Sequence, residues 1–295
     1  MEIFTQTIAY GILVGAMYGL ITLGLGLLMG VMKFLNVAHG TFIVLGGYIS
    51  YWLFTLYGIN PYVSIPLVII PMFLIGLAVY KVTLSPLLKL PSLGNRMNSS
   101  MLITFGIIYI ADNLMTIFWK PDVRSIVAPF TGKSIELFGT KFSVTGLWGF
   151  AVAIVAAIAL YFGLSRTRFG KRVRAATQDA EAASLCGVNV HRTYLISSGI
   201  AIALAGVAGV IIVSSYSINP NGGLRWLLVA FVVMILAGEG NINAIVPAGL
   251  ILGLLESIGV FIVGASYRQV VALVIFIVIL VFRPQGLFSK RRLTC

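Results

Sequence analysis

Long apolar runs without a charge alternate with short polar breaks along almost the whole chain. A bilayer-spanning helix takes about 20 apolar residues, and most of the runs are that long. The pattern predicts helices near 5–30, 37–58, 61–80, 99–119, 144–164, 193–216, 226–238, 244–264 and 267–282. The second is interrupted by polar residues and the seventh is short. The count is therefore eight or nine, and eight follows if residues 31–58 are partly re-entrant. The expected fold is all-α, a polytopic integral membrane protein in which residues 1–295 form one transmembrane domain. The opening, MEIFTQTIAYGILVG, lacks a basic leader region, so the first helix is expected to stay in the protein.

Composition agrees with the pattern. Of 295 residues, 59% are hydrophobic and 9% charged, whereas soluble domains average about 45–50% and about 25%. An ordinary soluble enzyme, a disordered chain and a nucleic-acid binder are excluded. The net charge of +12 then reads as the excess of Lys and Arg that membrane proteins keep on cytoplasmic loops. With the 165–192 loop placed inside, 14 of the 20 basic residues fall inside and 6 outside. The N-terminus is then outside and the C-terminus cytoplasmic. Residues 120–143 become an external loop, and Pro121, Pro129, Gly132 and Gly139 within it predict a small ordered cap or hairpin.

Chemistry-bearing motifs are few. Cys186 and Cys295 are too few and too far apart for a disulfide framework or a metal site and read as free thiols. There is no GxxxxGK[ST] phosphate loop, no HExxH and no nucleophile–base arrangement. The expectation is a non-enzymatic transport subunit without cofactor or metal, its energy supplied by another chain. Gly11, Gly15 and Gly19, then Gly26 with Gly30 and Gly249 with Gly253, recur every four residues. That spacing lets helix backbones approach closely. Pro66, Pro71 and Pro247 predict kinks.

Polar residues at membrane depth are the natural site candidates, because each is costly against lipid. Asn36 and His39 open the second span on one helix face; they line a path, or cap the helix and bond a neighbouring carbonyl. Asp112 and Asn113 lie in the fourth span near its outer end. Glu256 is near the middle of the eighth and must face protein or water. Glu239 and Asn241 belong to a Gly-Glu-Gly-Asn turn at an inner helix end.

The segment Ser165–Arg192 is too polar to span. Lys171–Leu185 predicts a short helix outside the bilayer, with Ala175, Ala176, Ala182, Ala183 and Leu185 on a small apolar face and Gly187 ending it. Such a helix either docks in a partner's cleft or only fixes topology against lipid headgroups.

Glu181-Ala182-Ala183, followed after three residues by Gly187, resembles the EAA-xxx-G motif of ABC importer permeases. The family's Ile-x-Leu-Pro tail is replaced by Ile196-Ser197-Ser198-Gly199. The string from Thr167 to Ala175, continuing at Gly187-Val188-Asn189-Val190, resembles the permeases of branched-chain amino acid importers, the LivH/LivM type. Asn36–Gly40 followed by Leu45–Tyr48, Gly238–Glu256 and Arg283–Phe288 carry the same resemblance over nearly the whole chain; Glu239 departs from it. The resemblance implies a coupling helix that uses Arg172, Arg174, Glu181, Ala182, Ala183 and Gly187. It also implies a second, LivM-like permease, two ATP-binding subunits, a periplasmic substrate-binding protein and a bacterial inner-membrane location. Importers of urea and amides share these motifs. On composition alone a stand-alone secondary transporter and a channel stay open, although no repeated filter motif is visible.

Overall fold

The computed structural model describes residues 2–288 except 89, 91, 129, 130, 138, 239, 284 and 285. Glu239, Lys89, Pro129, Pro284, Gln285, the basic residues 290–292 and Cys295 therefore lie outside the described residues. The order is α1 (Glu2–Met32), α2 (His39–Tyr57), α3 (Ile65–Val79), a π turn (Tyr80–Leu84), α4 (Ser85–Leu87) and α5 (Leu93–Trp119). A hairpin follows, β1 (Ser134–Leu137) and β2 (Thr140–Ser143), then α6 (Val144–Arg166), α7 (Arg168–Gln178), α8 (Ala180–Leu185), α9 (Val190–Ser215), α10 (Gly223–Ala237), α11 (Ile245–Val263) and α12 (Arg268–Phe282). Among the described residues nine helices are long and apolar enough to cross a membrane. The all-α polytopic expectation holds, with nine spans rather than eight.

The core is built on α1 and α9, which are buried over most of their length. Small residues make this possible. α1 runs antiparallel to α11, with Gly11 against Gly253, Gly15 against Leu250 and Gly19 against Val246. α9 runs antiparallel to α3, with Gly199 against Phe73 and Gly206 against Met72 and Val68. α2 joins α9 at Gly46 and Gly47, where a Cβ on Gly209 would collide with the Ile43 carbonyl. The four-residue glycine spacing read from the sequence is thus a packing seam.

These contacts reveal an arrangement that occurs twice. In α1–α2–α3 and in α9–α10–α11, a central helix is followed by a largely non-helical segment (33–38 and 216–222) and then by two more helices. The third helix of each trio packs on the central helix of the other. α1 starts beside the hairpin, where Gln6 and the Lys141 backbone exchange hydrogen bonds. α9 starts at the opposite end, beside α7 and α8. The second trio is therefore inverted relative to the first.

The segment before α2 explains the polar interruption read in the second span. α2 itself is unbroken, and the break precedes it. The Nε2–H of His39 donates to the Ile21 carbonyl at 2.8 Å. Ile21 lies 11 positions before the end of α1, about 16 Å of helical rise. The chain thus turns back and climbs beside α1 in non-helical form before α2 begins. Irregular backbone at such depth must be satisfied by protein. Ser100 Oγ accepts from the Leu35 amide at 3.3 Å, and Thr104 Oγ1 from the Val37 amide at 3.1 Å. α10 starts at a matching point: a Cβ on Gly40 would collide with the Gly223 carbonyl.

At the hairpin end, β1 and β2 pair with Glu136 opposite Lys141. The expected hairpin in 120–143 is present. Arg124 forms a two-way backbone bridge with Ile218 at 2.9 and 2.8 Å, and its guanidinium lies 5.4 Å from the Tyr51 ring centre. Tyr62, just before α3, stacks on Trp148; burial pushes its phenol up to about 12.

Candidate functional site

The polar segment between α6 and α9 lies at the end opposite the hairpin. The structure corrects the single helix expected over Lys171–Leu185. Asp179 adopts φ −153° and ψ 111° and divides it into α7 and α8. Its Oδ1 accepts from the amides of Glu181 at 2.9 Å and Ala182 at 3.0 Å. An Asp that caps the next helix outcompetes continuation of the first.

α8 then ends as the sequence predicts. Gly187 has φ +81°, its amide donates to the Ser184 carbonyl at 3.0 Å, and the Val188 amide donates to Ala183 at 3.0 Å. That pair of bonds is a Schellman closure. α7 is fixed at its start by Thr167, whose Oγ1 accepts from the Gly170 amide at 3.1 Å. A Cβ on Gly170 would collide with the Leu164 carbonyl, and Arg174 also donates to that carbonyl.

The small apolar face divides as well. Ala176 and Ala183 are buried, while Ala182 is exposed and Leu185 is 89% exposed. Arg172, Arg174, Glu181 and Gly187 are exposed too. The pair α7–α8 thus presents a preformed surface of one apolar side chain, flanking charges and rigid caps.

The polar membrane residues separate into three places. Asn36 and His39 are fully buried at the α1–α2 junction. Asn36 Oδ1 accepts from the Ala38 amide at 3.1 Å. Asn36 Nδ2 and His39 Nδ1 have no partner among the described residues. Asp112 lies near Thr41 of α2, and its Oδ1 is buried and likewise unpartnered among the described residues. Asn113 is exposed and donates to Tyr109 in its own helix at 2.7 Å.

Asn241 lies at the other end of α10, where its Nδ2 donates to the Phe288 carbonyl at 3.1 Å. The Leu287 amide donates to Leu236 at 2.9 Å, and Gly286, at φ +90°, fits against Gly238. The late glycine-rich turn and the C-terminal motif are therefore one packed unit.

Glu256 is the third place, on α11. It is 2% exposed. Its Oε1 accepts from the Tyr18 hydroxyl at 3.1 Å and pairs with Arg268 at 3.3 Å. Sequence reading missed Tyr18, Arg268, Ser100, Thr104 and Asp179. Ser100 and Thr104, four positions apart on one helix, carried a legible signal; the partners of Glu256 did not.

Among the described residues, nine apolar helices around a glycine seam, with polar groups inside and an exposed capped pair at one end, define a polytopic membrane protein. The family model described as "Branched-chain amino acid transport system / permease component" matches residues 7–280. The chain is 28% identical over 300 residues to the high-affinity branched-chain amino acid transport system permease protein BraD of Pseudomonas aeruginosa, covering 97% of this chain and 96% of the relative. It is 26% identical over 298 residues to LivH of Salmonella typhimurium, covering 97% and 96%. A probable LivH of Methanocaldococcus jannaschii is 28% identical over 280 residues, covering 91% and 87%. No solved structure matches. The chain belongs to this permease family, as a multi-pass inner-membrane component of an ABC transport system that works with partner subunits.

Proposed function

We propose that residues 1–295 form one permease domain and half of a two-permease core that imports branched-chain amino acids. A second, LivM-like permease completes the core, two ATP-binding subunits drive it and an extracytoplasmic binding protein delivers substrate. The α7–α8 pair is the coupling element. Leu185 and Ala182 enter a cleft of the ATPase, Arg172 and Glu181 flank them, and Arg174, Ala183 and Gly187 hold the shape. Asn36, His39, Asp112, Asn113, Glu239, Asn241 and Glu256 are the candidates for the translocation path. Among them the α1–α2 junction has the strongest support, since its unpartnered polar atoms sit where two helix starts meet.

The observation that carries this reading is the exposed α7–α8 surface in a chain of the permease family. It is tested by reconstitution in liposomes. With its partner subunits the chain accumulates leucine when ATP is supplied. Alone it neither hydrolyses ATP nor accumulates leucine along a proton or sodium gradient. Gradient-driven uptake by the lone chain refutes the proposal.

A further inference from the structure

A cavity of about 280 Å³ lies among α1, α10, α11 and α12, and its lining includes neither Asn36 nor His39 of the α1–α2 junction. Val229, Val232, Leu252 and Leu273 give it aliphatic walls, and Trp226 also lines it. Three charged residues also line it: Glu256, Arg225 and Arg268. It is just below the usual range for ligand pockets, about 300–1,000 Å³, which sets the scale of its occupant at a single small molecule.

The charged groups are incompletely used by the protein. Glu256 Oε1 has two partners, but the equally buried Oε2 has none among the described residues. Burying a carboxylate is costly unless its lone pairs are met. Arg268 is held by the Tyr10 hydroxyl, to which Nη1 donates at 3.0 Å, and by the Tyr10 ring at 5.2 Å. Arg225 rests over the Trp226 ring at 5.2 Å; neither ion pair among the described residues involves it. The cavity thus offers one unmet carboxylate oxygen, one uncommitted guanidinium and a branched apolar wall.

That combination matches a small zwitterion with an aliphatic tail. A plain anion would leave Glu256 unmet, and a plain cation would face two guanidiniums. We infer that this cavity is a subsite for a free aliphatic α-amino acid. The ammonium donates to Glu256 Oε2, the carboxylate accepts from Arg225, and the side chain lies against Val229, Val232 and Leu252. The cavity is near the hairpin end: Tyr10, which holds Arg268, contacts Tyr216, and Ile218 two residues on is bridged to Arg124. The inference rests on the importer reading and specifies how this chain recognises that substrate class.

The test is equilibrium binding of radiolabelled L-leucine to the assembled permease–ATPase complex in nanodiscs, without the binding protein. Leucine uptake by the complete transporter is measured in parallel. Saturable binding is expected, displaced by L-valine and L-isoleucine but not by isovalerate, which lacks the ammonium, or isoamylamine, which lacks the carboxylate. Arg225→Gln and Glu256→Gln should each weaken binding at least about tenfold, the loss of one charged hydrogen bond. Should Glu256→Gln fail to reach the membrane, Arg225→Gln decides alone, because Arg225 is exposed and outside the ion pairs of the bundle. Leucine uptake without saturable binding overturns the cavity and leaves the importer reading standing. So does binding that Arg225→Gln leaves unchanged, or that isoamylamine displaces as well as valine does. Absence of branched-chain uptake by the complete transporter removes both.

Discussion

At Gly187 two effects of a side chain can be separated. The residue sits at φ +81°, a conformation that costs most L-residues about 1–2 kcal/mol but that Asn tolerates. A Cβ there meets nothing within 4 Å, so space is no obstacle. Gly187→Asn should keep most of the uptake. Gly187→Glu should abolish it at a normal membrane level, because a carboxylate would have to be desolvated in the docking cleft. Uptake in cells, with co-purification of the ATPase, distinguishes the two, and near-normal uptake with Gly187→Glu removes α8 from coupling. Gly170 is the opposite case, since its Cβ would strike the Leu164 backbone, which cannot yield as a side chain can. Gly170→Val should destabilise the α6–α7 turn by about 1–3 kcal/mol, seen as faster proteolysis near residues 166–180 and lost uptake. The end of α8 was legible because a positive-φ glycine is a local property. The break at Asp179 was harder to read, because it depends on a competition between two helices. Its signal was an Asp followed within two residues by Glu181, an ordinary helix start.

The 33–38 segment poses a different problem, that of unpaired backbone at depth. Among the described residues the amides of Leu35 and Val37 are met by Ser100 and Thr104 of α5. Removing both hydroxyls leaves two buried donors unsatisfied, at about 1–3 kcal/mol each. The double variant Ser100→Ala with Thr104→Ala should lower the Tm of the detergent-solubilised protein by several degrees. Thr104→Ser, which keeps the oxygen, should restore most of it. Equal Tm values for Thr104→Ala and Thr104→Ser would show that these bonds do not support the segment. Element positions were legible because apolar runs have a length, and all nine predicted spans correspond to helices. Two boundaries moved for physical reasons. α5 begins six residues before the predicted 99, because polar residues outside the hydrocarbon continue the helix and Arg96 secures it on the Leu90 carbonyl. α2 begins at His39, two residues after the predicted 37, because Asn36 is spent on a turn.

The inverted pair of trios was invisible in the sequence, since periodicity records which face of a helix is apolar and not which helix covers it. It nevertheless gives the orientation argument a frame. The N-terminal half of α1, the hairpin, Arg124 and Ile218 are joined by hydrogen bonds into one end of the molecule. α7, α8 and the start of α9 form the other. The sequence, with alternating spans and the 165–192 loop placed inside, assigns 14 basic residues to one side and 6 to the other, and Lys and Arg near span termini are retained on the cytoplasmic side. The α7–α8 end should therefore face the cytoplasm, where ATP is available, and the hairpin should face the binding protein. Ser134 in β1 and Ser184 in α8 are both exposed, so each reports its own end without disturbing the core. Cys186 is exposed and free, so it must first be replaced by Ser, together with Cys295. In that background Ser134→Cys should react with a membrane-impermeant maleimide in intact cells. Ser184→Cys should react only after the membrane is permeabilised. The reverse pattern would turn the molecule over and carry the α7–α8 surface away from any ATPase, ending the coupling proposal along with the topology.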